Sequence, residues 1–281
     1  MNNKVRDYDP ADLKALHEGF VSAFSDYFVT FQPGEEQFKR RISHKLNIVS
    51  KYSPLAWKNG KVVSFAFHTL NSYQNLQTLY NGGTGTIPVE RRNQLASELL
   101  MHTAQKANDN DIERILLEVI EHNTAAVNLY SKLGYEKTRL LKCFKLKNTV
   151  PKKAKLEVLP SNALKSEYED FGDFEPSFID SSNQLKFNLS NETILEAYLD
   201  EELAGYIIFQ SRLGRISQIA VANKHRGKDV GTALINAAQK RSAGLDLTIM
   251  NIPEYEYETI HALERLGFEN ELNQIEMELK L

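Results

Sequence analysis

The chain is expected to fold as an α/β (α+β) protein in two halves, on three observations. Strand-like and helix-like stretches alternate through most of its 281 residues. Two segments, residues 87–135 and 219–268, carry similar parts in the same order. Between them Thr149-Val150-Pro151-Lys152-Lys153 is polar, proline-bearing and free of periodicity, as a connector is. The length suits two domains that each bury a core, divided as 1–148 and 149–281.

The elements follow in order. Residues 4–8 form a plausible edge strand. Asp9 then caps a helix with Pro10 at its first position, continued at helical spacing by Leu13, Leu16, His17, Phe20, Phe24 and Tyr27. A second helix covers residues 35–46. Strands at 55–58 and 61–70 are joined by Asn59-Gly60, which suits a tight hairpin. Residues 76–87 make a long strand in which Gly82, Gly83 and Gly85 mark a bulge or a close backbone approach. A helix on Leu95, Leu99, Leu100 and Ala104, a strand through Leu117, a helix from Thr124 and a strand near Phe144 complete the half. After the connector come strands at 194–199 and 203–209 around an Asp200-Glu201-Glu202 turn. A strand at 215–221, a helix at 230–241, a strand at 245–250 and a helix at 257–266 lead into the closing strands. Residues before 194 are poorer in helix than their counterparts, so the walls of any pocket there are reduced.

Three short segments carry the chemistry. Arg91-Arg92-Asn93-Gln94-Leu95-Ala96 turns from strand into helix, where converging backbone N–H groups and the positive helix end suit an anion. His225-Arg226-Gly227-Lys228-Asp229-Val230-Gly231 is its counterpart, with a carboxylate where the anion would sit. Leu117-Glu118-Val119 leads to Asn123, which caps the next helix, and to Leu129-Tyr130 two turns on. The later segment has Asn251 and Leu263 in place of Glu118 and Tyr130.

This order of parts resembles the GNAT superfamily of N-acetyltransferases, present twice. Around Glu118 to Tyr130 it is especially similar to the branch that acetylates protein N-termini, such as the N-terminal alanine acetyltransferases. The resemblance implies two tandem GNAT-like domains, each a mixed, mostly antiparallel sheet flanked by helices, with acetyl-CoA as co-substrate. It implies that the glycine-bearing strand splays from its neighbour to admit the pantetheine arm, its freed N–H groups stabilising an oxyanion. Of the signature Arg/Gln-x-x-Gly-x-Gly/Ala, Arg91 and Ala96 fit; Gln94 replaces the glycine, which is tolerable if the helical conformation has begun there. Residues expected to hold acetyl-CoA are Thr86, Ile87, Val89, Arg91, Arg92, Asn93, Gln94, Leu95, Ala96, Ser97, Asn123, Ala126 and Tyr130. Tyr130 is expected to protonate the departing thiolate and Glu118 to act as base. Tyr27 and Phe31 are assigned to the acceptor wall, and Phe20 and Phe24 to the core.

Charge agrees with this assignment. Residues 1–148 hold 20 Lys and Arg against 15 Asp and Glu, +5, while residues 149–281 hold 14 against 22, −8. The first half is the better host for a polyanion. No basic run pairs with aromatic platforms, so nucleic acid is not an expected partner. No apolar run nears the ~20 residues of a membrane span, and residues 1–7 lack a signal-peptide core, so a cytoplasmic protein is expected. The single cysteine, Cys143, is read as strand filler. No metal-ligand spacing occurs, and no metal is expected. The expectation is an N-acetyltransferase, monomer or homodimer, with a primary amine of a small molecule or peptide as acceptor. A catalytically silent second half completes the architecture. The alternative is a non-catalytic acyl-CoA-binding or interaction scaffold, for which Glu118 and Tyr130 would be superfluous.

Overall fold

The computed structural model describes residues 4–27, 32–147, 154 and 156–281. The expected connector at 149–153 and the acceptor-wall residue Phe31 lie outside them. The chain forms two compact units, Met1–Thr138 with Glu276–Leu281, and Arg139–Ile275. The division therefore does not fall at 148/149: the last six residues complete the first unit, and the strand that begins at Glu136 passes into the second at Arg139.

The first unit contains β1 (Lys4–Asp7), α1 (Leu13–Ala23), α2 (Glu35–Arg40), β2 (Pro54–Lys58), β3 (Lys61–Tyr73), β4 (Leu76–Thr86), α3 (Leu95–Asn108), β5 (Arg114–Ile120) and α4 (Thr124–Lys132). Its strands run β1-β2-β3-β4-β5, antiparallel except for the parallel pair β4–β5. The Asn59-Gly60 turn has positive φ at both residues, 51° and 74°, the requirement of the tight hairpin turn expected there. Asp9 caps as expected, accepting from Ala11 N–H at 2.8 Å, but it caps a short 3₁₀ turn, Pro10–Asp12, before α1 begins. α1 stops at Ala23, with Phe24 as C-cap. The helical spacing thus overshot by a turn, and Tyr27 follows the helix instead of riding on it.

Phe20 of α1 meets Phe38 and Phe65 at ring-centroid distances of 4.9 and 5.6 Å, and Phe65 stacks on Phe67 at 4.6 Å. All four rings are buried, each contributing roughly 2 kcal/mol of hydrophobic stabilisation. Gly19 lets α1 sit on β3: a Cβ there would lie 2.7 Å from the Val62 carbonyl oxygen.

The second unit contains most of β6 (Glu136–Leu146), then β7 (Glu157–Ser161), α5 (Ser182–Leu185), β8 (Thr193–Leu199), β9 (Glu202–Gln210), β10 (Arg215–Val221), α6 (Val230–Arg241), β11 (Leu247–Pro253), α7 (Tyr257–Arg265) and most of β12 (Glu269–Lys280). Strand order is β6-β11-β10-β9-β8-β7, with β10–β11 parallel. Leu195, Ile207, Phe209, Leu234, Leu247 and Phe268 belong to one buried core under α6 and α7. Between β7 and β8 only short helical turns occur among the described residues, in line with the helix-poor reading of this stretch.

The end of β12 belongs to the first unit. Leu281 N–H donates to the Glu113 carbonyl at 3.1 Å. Arg114, almost fully buried, donates to Thr78 Oγ1 at 2.9 Å and to the Tyr73 carbonyl at 2.8 Å, with Glu278 3.3 Å from its guanidinium.

Candidate active site

The two units share an irregularity at one position. In β4 the register with β3 passes from His68↔Asn81 to Phe67↔Gly83, which leaves Gly82 as a bulge. In β10 it passes from Ile216↔Phe209 to Gln218↔Ile208, leaving Ser217. The parallel pairing with the next strand ends just before each bulge, at Asn81↔Leu117 and at Ile216↔Ile249. β4 runs on through residues 82–86 beyond that last pair. The expected glycine-marked opening is therefore a bulge followed by a splay, and Glu118 is the first residue of β5 past the last pair.

The loop after β4 is repeated with equal fidelity. Arg91 is extended (φ −64°, ψ 158°), while Arg92 and Gln94 have φ of 65° and 61°. Arg226 is likewise extended (φ −63°, ψ 147°), while Gly227 and Asp229 have φ of 76° and 61°. Backbone that alternates in this way gathers N–H groups into an anion-binding concavity, and the first N–H groups of α3 have no partner within the helix. The expectation that helix has begun at Gln94 is corrected: Gln94 is the left-handed residue before the helix, the conformation a glycine adopts freely and a side chain adopts at a cost of about 1 kcal/mol.

The expected cofactor residues divide by what they offer. Leu95 is buried and presents only its backbone. The Ile87 N–H is taken by the Val63 carbonyl at 3.0 Å, and the Thr86 hydroxyl is 2.8 Å from Ser64 Oγ. Val89 is 82% exposed, an apolar side chain on the loop with room for a ligand to cover it. Asn93 Nδ2 donates to Glu90 at 3.3 Å; Arg92, Ala96 and Ser97 stay on or beside the loop. Arg91 is committed to the protein, pairing with Asp26 at 2.6 and 2.7 Å and donating to the Thr86 and Ala23 carbonyls. The pair raises the Arg91 pKa and lowers that of Asp26. Arg226 repeats the bond to the carbonyl five residues back, Val221, and pairs with Asp173. Arg91 thus shapes the loop.

Beyond the splay, Asn123 caps α4 as expected, accepting from Ala126 N–H at 3.2 Å, and its amide donates to the Tyr27 hydroxyl at 3.4 Å. Burial raises the Tyr27 pKa, partly offset by that bond. Tyr130 is buried on α4; desolvation pushes its pKa up to about 12, with Thr84 of β4 opposing and Tyr27 reinforcing the shift. Glu118 accepts a hydrogen bond from the Tyr80 hydroxyl across β4 and β5. Thus Tyr27 and Asn123 are joined to each other, Thr84 is joined to Asn81 at 2.8 Å, Tyr130 is buried with its ring against Tyr135, and Glu118 stands with Tyr80 at the mouth of the splay. Asp26, Tyr80, Asn81 and Thr84 escaped sequence reasoning. Only Asn81 and Thr84, flanking Gly82-Gly83, left a signal there; Asp26 meets Arg91 from 65 positions away.

In the second unit the same positions hold other chemistry. Leu263 is buried where Tyr130 stands in the first unit. Asn251 accepts from Gln274 Nε2 at 2.8 Å and donates to Ser177 Oγ at 3.3 Å. Among the described residues no group of His, Cys, Asp and Glu is arranged to hold a metal ion, and no helix is long and apolar enough to cross a membrane.

Comparison with known proteins agrees with both halves. The sequence profile of the Acetyltransferase (GNAT) family matches residues 15–135 and again 162–268. The chain belongs to this family of acyl-transferring enzymes and carries its domain twice. Curated proteins give no match. Among solved structures, a putative acetyltransferase from Pyrococcus horikoshii is similar over 99% of this chain and 89% of its own, with a TM-score of 0.76 at 15% identity. A GCN5-related N-acetyltransferase from Sphaerobacter thermophilus matches over 99% and 95%, TM-score 0.73, 13% identity. A tandem GNAT protein from the clavulanic acid biosynthesis pathway matches over 99% and 98%, TM-score 0.74, 14% identity. These likenesses establish the tandem fold.

Proposed function

We propose that the first half transfers acetyl from acetyl-CoA to a primary amine, of a small molecule or a peptide, by direct attack in a ternary complex. The carrying observation is the contrast between the units. Both keep the bulge, the splay and the loop, but only the first has a buried hydroxyl, Tyr130, and a carboxylate, Glu118, at that opening.

The pyrophosphate sits on the backbone N–H groups of the loop and of the start of α3. The pantetheine arm enters the splay between β4 and β5, and the thioester carbonyl takes N–H groups beyond Gly82. Glu118 accepts a proton from the attacking ammonium, directly or through water. The amine nitrogen bonds to the acetyl carbon, the C–S bond breaks, the thiolate takes the Tyr130 proton, and the proton shed by the acylated nitrogen restores the phenol. Holding amine and thioester in line does much of the catalysis. The only cysteine, Cys143, is buried on β6, in keeping with direct attack and not an acyl-enzyme.

Two measurements test this reading. Calorimetric titration of the intact protein should give one acetyl-CoA per chain, abolished by Ala96→Glu, which sets a negative charge in the loop, and unaffected by Gly231→Glu. Thiol release with a panel of primary amines should give intersecting initial-velocity lines. Retained binding in Ala96→Glu with loss in Gly231→Glu would move the site to the second half.

A further inference from the structure

We infer that Asp26 and Tyr27 are positioning residues that brace the opening between β4 and β5, Asp26 holding the loop that follows β4 and Tyr27 the helix that follows β5. The consequence for turnover rests on the proposed placement of acetyl-CoA and Tyr130 in the first half; the brace itself rests on its bonds.

The chain of bonds starts at the loop. Arg91 Nη1 and Nη2 meet the Asp26 carboxylate at 2.7 and 2.6 Å, Nη2 also donates to the Ala23 carbonyl at 3.1 Å, and Nε donates to the Thr86 carbonyl at 3.3 Å. One planar guanidinium thereby fixes the end of β4, the last turn of α1 and Asp26 in a single arrangement. Tyr27, the next residue, reaches the other side. Its ring stands edge-on to Phe24 at 5.0 Å, and Phe24 packs on the buried Phe20 at 4.7 Å, which gives it a firm footing. Its hydroxyl accepts from Asn123 Nδ2 at 3.4 Å, and Asn123 Oδ1 is engaged by the Ala126 N–H at 3.2 Å, so the amide of the α4 cap is held at both ends. The ladder between β4 and β5 ends at Asn81↔Leu117. Beyond that pair the spacing of loop and α4 is left to side chains, and Arg91, Asp26, Tyr27 and Asn123 run from one to the other.

The second unit supplies an independent observation. Arg226 keeps the clamp, donating to the Val221 carbonyl at 3.2 Å and to Asp173 at 2.8 Å. Asp173 thus stands where Asp26 does, and the residue after it is Phe174, an aromatic ring without the hydroxyl, packed at the border of the core. Glu256 lies as far before Leu263 as Asn123 lies before Tyr130. It is the N-cap residue of α7, has no amide to donate, and makes no side-chain cap bond. The ion pair is therefore kept where the loop keeps its shape, while the hydroxyl and the amide have gone together in the unit that carries Leu263. Upkeep of the loop needs the Arg–Asp pair alone. The extension through Tyr27 to Asn123 belongs with the opening that contains Tyr130.

The test uses the intact chain, acetyl-CoA and the fastest acceptor from a panel of peptides with free N-termini, amino sugars and polyamines. Tyr27→Phe, the change already present in the second unit, should lower kcat about fivefold, the scale of one hydrogen bond, with KM for acetyl-CoA unchanged. Asp26→Asn should do the same from the other end, and Asp26→Glu should bring kcat back to within about twofold. Because both changes cut one brace, the double variant Asp26→Asn/Tyr27→Phe should be no slower than the slower single variant. Effects that multiply, or an unchanged kcat in both singles, would overturn the inference. A second readout needs neither acceptor nor cofactor. In the unliganded protein, hydrogen exchange at the Ala126 N–H should quicken about fivefold in Tyr27→Phe and also in Asp26→Asn, although Asp26 bonds to the loop and not to α4. Quickening in Tyr27→Phe alone, or in neither, ends the inference whatever the turnover. If Tyr130→Phe leaves turnover intact, the proposed chemistry falls, and exchange at Ala126 still decides the brace.

Discussion

At the scale of single residues, the roles proposed for Tyr130 and Glu118 can be tested separately. Tyr130→Phe keeps the ring and its packing, so acetyl-CoA affinity should hold while kcat falls by roughly 10²-fold, the usual scale for a general acid. Glu118→Gln should lower the rate most at neutral pH and recover in part at alkaline pH, where the acceptor amine deprotonates unaided; a pH-independent loss would contradict the base role. His68 makes a separate prediction about stability. It lies opposite Asn81 across β3 and β4, fully buried, and desolvation lowers its pKa from 6.5 to about 4. The folded protein therefore holds it neutral while the unfolded chain protonates it below 6.5. That contribution is complete above pH 6.5 and is lost as the pH falls toward 4, amounting to about 3 kcal/mol. Urea unfolding at pH 7 and pH 4 should show a drop larger by this amount in wild type than in His68→Gln.

At the scale of elements, periodicity and turn chemistry carried far. The Asn59-Gly60 and Asp200-Glu201 turns and the strands they join lie where alternation and turn residues put them. The bulge was legible from Gly82, Gly83 and Gly85, and the splay from the family resemblance. What escaped depends on contacts between distant segments. Asp26 gives no sign that it pairs with Arg91, and the end of α1 at Ala23 is invisible because Phe24 and Tyr27 keep the apolar spacing after the helix has stopped. Tyr130 and Glu118 were singled out because their neighbours repeat a known pattern, whereas Tyr80 meets Glu118 only once the fold sets β4 beside β5. The loop before α3 offers a test at this scale. Gln94 sits at φ 61° without being glycine, so Gln94→Gly should stabilise the protein by about 1 kcal/mol, read as a higher urea midpoint. An equal or lower midpoint would show that the Gln94 side chain returns more than the strain it bears.

At the scale of the whole molecule, the first unit is discontinuous in sequence. Its sheet takes residues 276–281 beside β5, and the buried Arg114 is placed against Glu278. A chain ending at Ile275 should therefore leave the β5 edge uncovered and lose stability in the first unit, seen as early proteolysis within residues 1–138. The fragment 1–148 should fare no better, since it lacks the same strand. The expected cut at 148/149 came from the connector composition, and composition cannot report that a strand returns from the far end of the chain.

That returning strand also sets an order of assembly. Arg139–Ile275 is one uninterrupted stretch, whereas the unit that holds Tyr130 is translated first and finished last. During synthesis the second unit has every residue it needs before the first does, and the first must wait with its β5 edge open until residue 281 has emerged. The second unit thereby acquires a temporal role: already folded, it carries the closing strand and shortens the search for its partner. On ribosome-stalled chains, protease resistance should reach residues 139–275 before residues 1–138, the reverse of their order of synthesis.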